Sequence, residues 1–101
     1  MAKRRFVKYN VYGGTGAFGQ ALAPDARRVA VHLSNWPSGN FFIFQFGESV
    51  DNFGYGWQIG GPGSLLKLTI EEIGDVIKSR LWAVASAGNQ CAVTEILEED
   101  I

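Results

Sequence analysis

Thiols and imidazoles are nearly absent: the sequence holds one cysteine, Cys91, and one histidine, His32. A lone cysteine excludes a disulfide scaffold within the chain and any zinc site built on paired thiolates. It also leaves a nucleophilic thiol with a single candidate partner, and His32 has no cysteine or carboxylate at ligand spacing. Long apolar runs are missing too. The longest, such as Phe41–Phe44, fall far short of the roughly 20 residues a membrane helix needs. Nor is there an excess of charge: 9 basic and 10 acidic side chains leave a net −1, too weak a field for general nucleic-acid binding. Met1–Arg5 is charged like the start of a signal peptide, but no apolar stretch follows, so no export signal is read.

What is present is one small domain. A chain of 101 residues, 47% hydrophobic, buries roughly 65% of the surface its unfolded form exposes, enough for a single modest core. Thirteen glycines and 13% aromatics favour short strands joined by turns. Arg28–Asn35 has period two, with Val29, Val31 and Leu33 on one face and Ala30, His32 and Ser34 on the other. Asn35–Asn40 reads as a turn and Asn40–Phe46 as the partner strand of a hairpin. Tyr55–Ile59 forms a short strand, and Ser64–Ile70 another, with Leu66, Leu68 and Ile70 inward. Leu81–Ser86 and Cys91–Leu97 read as a last pair joined by Ala87–Gln90. Glu71–Ser79 reads as strand–turn–strand, with one short helix near 70–78 as the alternative because Thr69 and Glu72 have capping-box spacing.

The strand Asn40–Phe46 breaks alternation. Phe42, Phe44 and Phe46 share one face, while Phe41 and Ile43 lie on the other. Either it is central and covered on both sides, or another subunit covers one side. Phe41, Phe42, Phe44 and Phe46 are therefore candidate subunit-interface residues. Charge is polarised: Lys3, Arg4, Arg5 and Lys8 lie at one end of the chain, and Glu95, Glu98, Glu99 and Asp100 at the other. Such ends suit side-by-side or arm-to-neighbour assembly. Lys3, Arg4, Arg5 and Phe6 are the candidate docking residues.

Gly14-Thr15-Gly16-Ala17-Phe18-Gly19 matches the dinucleotide-binding G-x-G-x-x-G. Pro24 cuts short the helix that should follow, and Ser34–Trp36 stand where an acidic residue should hold the ribose. The remaining strands lack alternating helices, so the motif reads as a flexible loop and no cofactor is expected. Cys91 reads as a small buried hydrophobe, Trp82 as core, and Glu71, Glu72 and Asp75 as an exposed charged turn. Trp36 and Trp57, in turn-rich segments, are possible platforms for sugar rings.

Together these give an all-β chain: a single small antiparallel, jelly-roll-like sandwich over 27–101, with an extended basic and glycine-rich arm over 1–26. The order Arg28–Asn35, Phe41–Gly47, Gly61–Leu66, Leu81–Ala85 with Gly88, and Val93–Glu95 resembles small β-sandwich virion proteins of tailed bacteriophages, which decorate capsids or sit at fibre bases. That resemblance implies a protein made in the bacterial host cytoplasm and carried on the virion's capsid surface. It implies a non-enzymatic homo-oligomer, commonly a trimer, that clamps the major capsid protein or another virion protein. No nucleic acid, membrane or metal enters this expectation. The alternative is a carbohydrate-binding module of a host-recognition fibre.

Overall fold

The computed structural model describes residues 2–35, 42–50, 56–60 and 64–101. Its strands are β1 (Lys3–Gly13), β2 (Gly19–Leu22), β3 (Arg28–Asn35), β4 (Phe42–Phe46), β5 (Trp57–Ile59), β6 (Leu65–Thr69), β7 (Leu81–Val84) and β8 (Gln90–Asp100). They form two four-stranded antiparallel sheets: sheet A in the order β1-β8-β3-β6, and sheet B in the order β2-β7-β4-β5. Eight strands so ordered make a jelly roll, in which the chain passes from sheet to sheet and the inner faces enclose one core. Val31, Leu33 and Val93 supply that core from sheet A, and Phe42, Phe44, Leu81 and Ala83 from sheet B.

This topology corrects both expected hairpins. β3 and β4 lie in different sheets, as do β7 and β8; among consecutive described strands, β4 and β5 do pair. A turn signal between two apolar runs marks a reversal of the chain, and in a jelly roll most reversals are changes of sheet. The Asn35–Asn40 turn itself lies largely outside the described residues.

Between β6 and β7 the alternative reading prevails. α1 (Ile70–Ile73) runs into a 3-10 turn over Gly74–Lys78. Thr69 caps the helix by accepting from the Glu72 N–H at 3.3 Å, and its hydroxyl donates to Glu72 Oε1 at 3.0 Å. Gly74 ends it at φ +76°, a conformation that costs glycine little. Ile77 then drops fully into the core.

The chain's first residues are not a separate arm. β1 pairs with β8 over its whole length, from Lys3 opposite Asp100 to Gly13 opposite Gln90. The two charge poles that suggested contact between neighbours instead meet across this ladder: Arg4 opposes Glu99, Arg5 opposes Glu98 and Lys8 opposes Glu95. Opposite charges on facing positions stabilise the pairing and help fix its register.

β4 answers the phenylalanine question in the same way. It lies between β7 and β5; Phe42 and Phe44 are 0% exposed and Ile43 is 5% exposed. The two rings stack at 6.0 Å, and Tyr12 meets Phe42 edge-on at 6.4 Å. Phe46 packs edge-on against Trp57 at 5.7 Å. Phe42 and Phe44 are therefore core residues, unable to meet another subunit, because the central strand has its own chain on both faces. Phe41 lies outside the described residues.

The glycine motif turns the corner from β1 to β2, so a strand rather than a helix follows it. A side chain at Gly14 would collide with the Ala85 and Ser86 carbonyl oxygens, and Gly16 sits at φ +88° while donating to the Ala85 carbonyl at 2.8 Å.

A candidate assembly surface on sheet A

Among the described residues, sheet A packs on the core with its inner side only. On the outer side its register lays out three rows of four residues: Val7, Ile96, Ala30, Thr69; then Tyr9, Thr94, His32, Lys67; then Val11, Ala92, Ser34, Leu65. Within that grid Lys67 alone carries a fixed charge. Several of its apolar members are open to solvent: Val7 is 44% exposed, Tyr9 82%, Val11 58% and Leu65 55%. At strand and residue spacings of about 4.8 and 3.4 Å, the grid covers roughly 400 Å² of sheet. The Arg5–Glu98 ion pair borders it on one side.

Alternation along β1 sets its part of this surface. Its even-numbered side chains Phe6, Asn10 and Tyr12 turn inward, and Tyr12 ends buried with its hydroxyl donating to the Ala83 carbonyl of sheet B at 2.9 Å. Burial raises the Tyr12 phenol above its ordinary pKa. The odd-numbered Val7, Tyr9 and Val11 are left outside. Strict alternation on a half-buried strand puts polar residues there; β1 puts valine, tyrosine and valine.

The docking residues expected at the start of the chain are committed within it. Arg4 Nε donates to Glu99 Oε1 at 2.8 Å, Arg5 Nε donates to Glu98 Oε2 at 2.9 Å, and Lys3 Nζ lies 3.6 Å from Glu98. Arg27 reaches both Glu99 and Asp25, and Arg4 and Arg27 lie against the Phe6 ring at 5.7 and 5.4 Å. Hydrogen bonds from Arg5, Arg4 and Arg27 hold the Glu98, Glu99 and Asp25 carboxyls below their ordinary pKa range. The cluster fastens the start of β1 to the end of β8, with the Lys3, Arg4 and Arg5 side chains still 60%, 64% and 61% exposed.

Behind the grid lies a buried ion pair that sequence reasoning missed. Arg28, 0% exposed, places Nε 3.0 Å and Nη2 2.9 Å from Glu95 Oε2. Its Nη1 donates to the Ile77 and Ser79 carbonyls at 2.9 and 2.8 Å, and its Nη2 to the Ala23 carbonyl. Asn10 Nδ2 donates to the other Glu95 oxygen at 3.2 Å. A bulge between Arg28 and Ala30 makes this possible: the extra residue reverses the alternation, so Arg28 points inward beside Val31 and Leu33. Fully hydrogen-bonded and sealed, this pair is a structural clamp.

The other candidates have plain placements. Cys91 is buried, and desolvation pushes its thiol up to about 12, so it is inert as a nucleophile. His32 sits half-buried between Thr94 and Lys67 on the outer face. Trp57 packs on Phe46 at the rim of the core, which makes it a poor sugar platform; Trp36 lies outside the described residues. Trp82 is not core: it lies half-buried on the outer face of sheet B, its Nε1 donating to the Gly47 carbonyl at 3.0 Å. Glu71, Glu72 and Asp75 are exposed. Among the described residues, no cluster of His, Cys, Asp or Glu could hold a metal ion, and no helix is long and apolar enough to cross a membrane.

No protein-family model matches the chain, and no curated protein matches it. A solved structure does. A chain from work described as "Bacillus endospore appendages form a novel family of disulfide-linked pili" superposes with a TM-score of 0.64 at 8% identity, over 98% of this chain and 88% of that one. The likeness establishes a shared fold, the small all-β sandwich.

Proposed function

We propose that this chain is a structural subunit that acts by assembly rather than by chemistry. It associates with copies of itself and seats on a protein lattice through the outer face of sheet A. The observation that carries this reading is the grid of mainly uncharged residues on that face, with Val7, Tyr9, Val11 and Leu65 open to water. Exposed patches of this order, here apolar at Val7, Tyr9, Val11 and Leu65, often serve interaction on small domains. Burying it contributes about 25 cal/mol per Å² of apolar area.

The setting we propose is the outside of a particle built from many copies, with capsid decoration on a bacteriophage virion as its form. The sequence resemblance favours that setting. The fold likeness to a pilus protein supports the coarser idea of a jelly roll used as a building block. That protein's pili are described as disulfide-linked; here the one thiol is sealed between the sheets, so the assembly proposed is non-covalent.

Sedimentation velocity on the purified chain, from low to high micromolar concentration, tests the reading. The wild type should sediment as an oligomer. Val7→Lys with Val11→Lys, which puts charges on the exposed β1 positions of that face, should shift the boundary toward smaller species while melting changes by only a few degrees. A wild type that stays monomeric throughout contradicts the proposal.

A further inference from the structure

The structure points to the partner edge and the register of that self-association: we infer that β1 pairs antiparallel with β1 of a second copy, about a two-fold axis at Tyr9. This rests on the assembly reading above and adds the strand pairing that builds it. Among the described residues, β1 is the edge of sheet A and pairs with β8 alone. At the two ends of that pairing, the Ile101 N–H donates to the Ala2 carbonyl at 3.1 Å and the Gly14 N–H to the Asn89 carbonyl at 2.8 Å. In an antiparallel ladder this phase turns the main-chain groups of even-numbered β1 residues toward β8. Those of Arg5, Val7, Tyr9, Val11 and Gly13 face away from it. The same odd-numbered residues carry the exposed apolar side chains. An 11-residue edge whose outward-facing side chains are apolar from Val7 to Val11, with main-chain N–H and C=O groups turned away from β8, is a template for another strand.

Length and charge select the occupant. The other described sheet edges, β2, β5 and β6, have 4, 3 and 5 residues, against 11 in β1. Only another β1 matches its length. A two-fold axis perpendicular to the sheet keeps outer face with outer face, so residues of equal parity must oppose one another. Centred on Lys8, the pairing would set two lysines directly opposite, which is destabilising. Centred on Tyr9, Val7 opposes Val11 of the second copy, Tyr9 opposes Tyr9, and each Lys8 opposes an Asn10. Each outward-facing pair then exchanges both main-chain hydrogen bonds. The two sheets A become one eight-stranded sheet, and the two grids join into a platform of roughly 800 Å², one partner's share of a standard-size protein interface. This pairing builds dimers and even-numbered assemblies rather than the trimer the resemblance implies.

Two variants of the full chain test it by sedimentation and cross-linking. Tyr9→Pro removes a main-chain N–H that faces away from β8, a place where an edge strand tolerates proline. It should sediment as a monomer while its melting temperature stays within a few degrees. Tyr9→Cys places two thiols on the axis with Cα atoms about 5.5 Å apart, inside the range of roughly 4.4–6.8 Å that a disulfide spans. Mild oxidation should convert it to a covalent dimer, while Val7→Cys and Val11→Cys, each facing a valine, should lag well behind. Should Tyr9→Pro fail to fold, the cysteine series decides. Self-association that persists in Tyr9→Pro, or cross-linking at equal rates in all three cysteine variants, overturns the β1 pairing and leaves the assembly reading standing. A monomeric wild type removes that reading as well.

Discussion

Arg28 places its guanidinium nitrogens wholly inside the protein, bridging Glu95 on β8, the Ala23 carbonyl before β3, and the carbonyls of Ile77 and Ser79. Breaking such a pair strands a buried charge, which typically costs about 3–5 kcal/mol. Arg28→Ala should therefore remove a large share of the chain's stability in urea unfolding. Arg28→Met combined with Glu95→Leu should cost clearly less than the sum of the two single changes, because neither charge is then left alone. Additive losses would show that the two residues act independently. Both belong to runs with strand character in the sequence, but nothing there pairs them: the bulge that turns Arg28 inward has no sequence signature. Phe42 and Phe44 teach the converse. Their unbroken apolar pattern is legible, and so is the choice between a central strand and a shared one. Which of the two holds depends on β5, a three-residue strand whose neighbourhood is glycine-rich.

At the scale of elements, β1 has two uses. Its charged first half is fastened to the end of β8, and its apolar second half lies open. The fastening depends on pH with a definite sign. The Glu98, Glu99 and Asp25 carboxyls titrate lower in the folded chain than their ordinary values of 4.5, 4.5 and 3.8, so their stabilisation is complete above that range. It fades as pH falls through the lowered folded values. Melting temperature should accordingly be flat from neutral pH to about 5 and then decline. Arg4→Gln with Arg5→Gln should lower the plateau by a few degrees and make the acid decline shallower. An unchanged acid limb would show that these pairs do not couple to folding. Strand positions are largely legible: β3 matches the expected span, and β6, β7 and β8 fall close to theirs. The short helix is harder to read, because Gly74 lies at its C-terminal end, where glycine helps, rather than in its interior, where it would cost about 1 kcal/mol. β1 reads as an arm from sequence because its ion-pair partners lie more than ninety positions away along the chain.

For the whole molecule, the sandwich class follows from short strands at regular spacing, while the exchange of strands between sheets does not. Local turn signals say that a chain reverses and are silent on which sheet receives it. The assembly surface is hidden for a related reason. Its residues come from four strands scattered from Val7 to Ile96, and each is unremarkable alone; only the register sets them side by side. The proposal of self-association therefore rests on different residues from those the sequence suggests: β1 carries it, and β4 serves the core.

Hydrogen–deuterium exchange along β1, followed as protein concentration rises, tests the central claim most directly. If copies join edge to edge, the amides of Arg5, Val7, Tyr9, Val11 and Gly13 should exchange fast in dilute protein and become protected at high concentration. Those of Phe6, Lys8, Asn10 and Tyr12, already bonded to β8, should be protected at both. Odd-numbered amides that remain fast at every concentration would contradict the account.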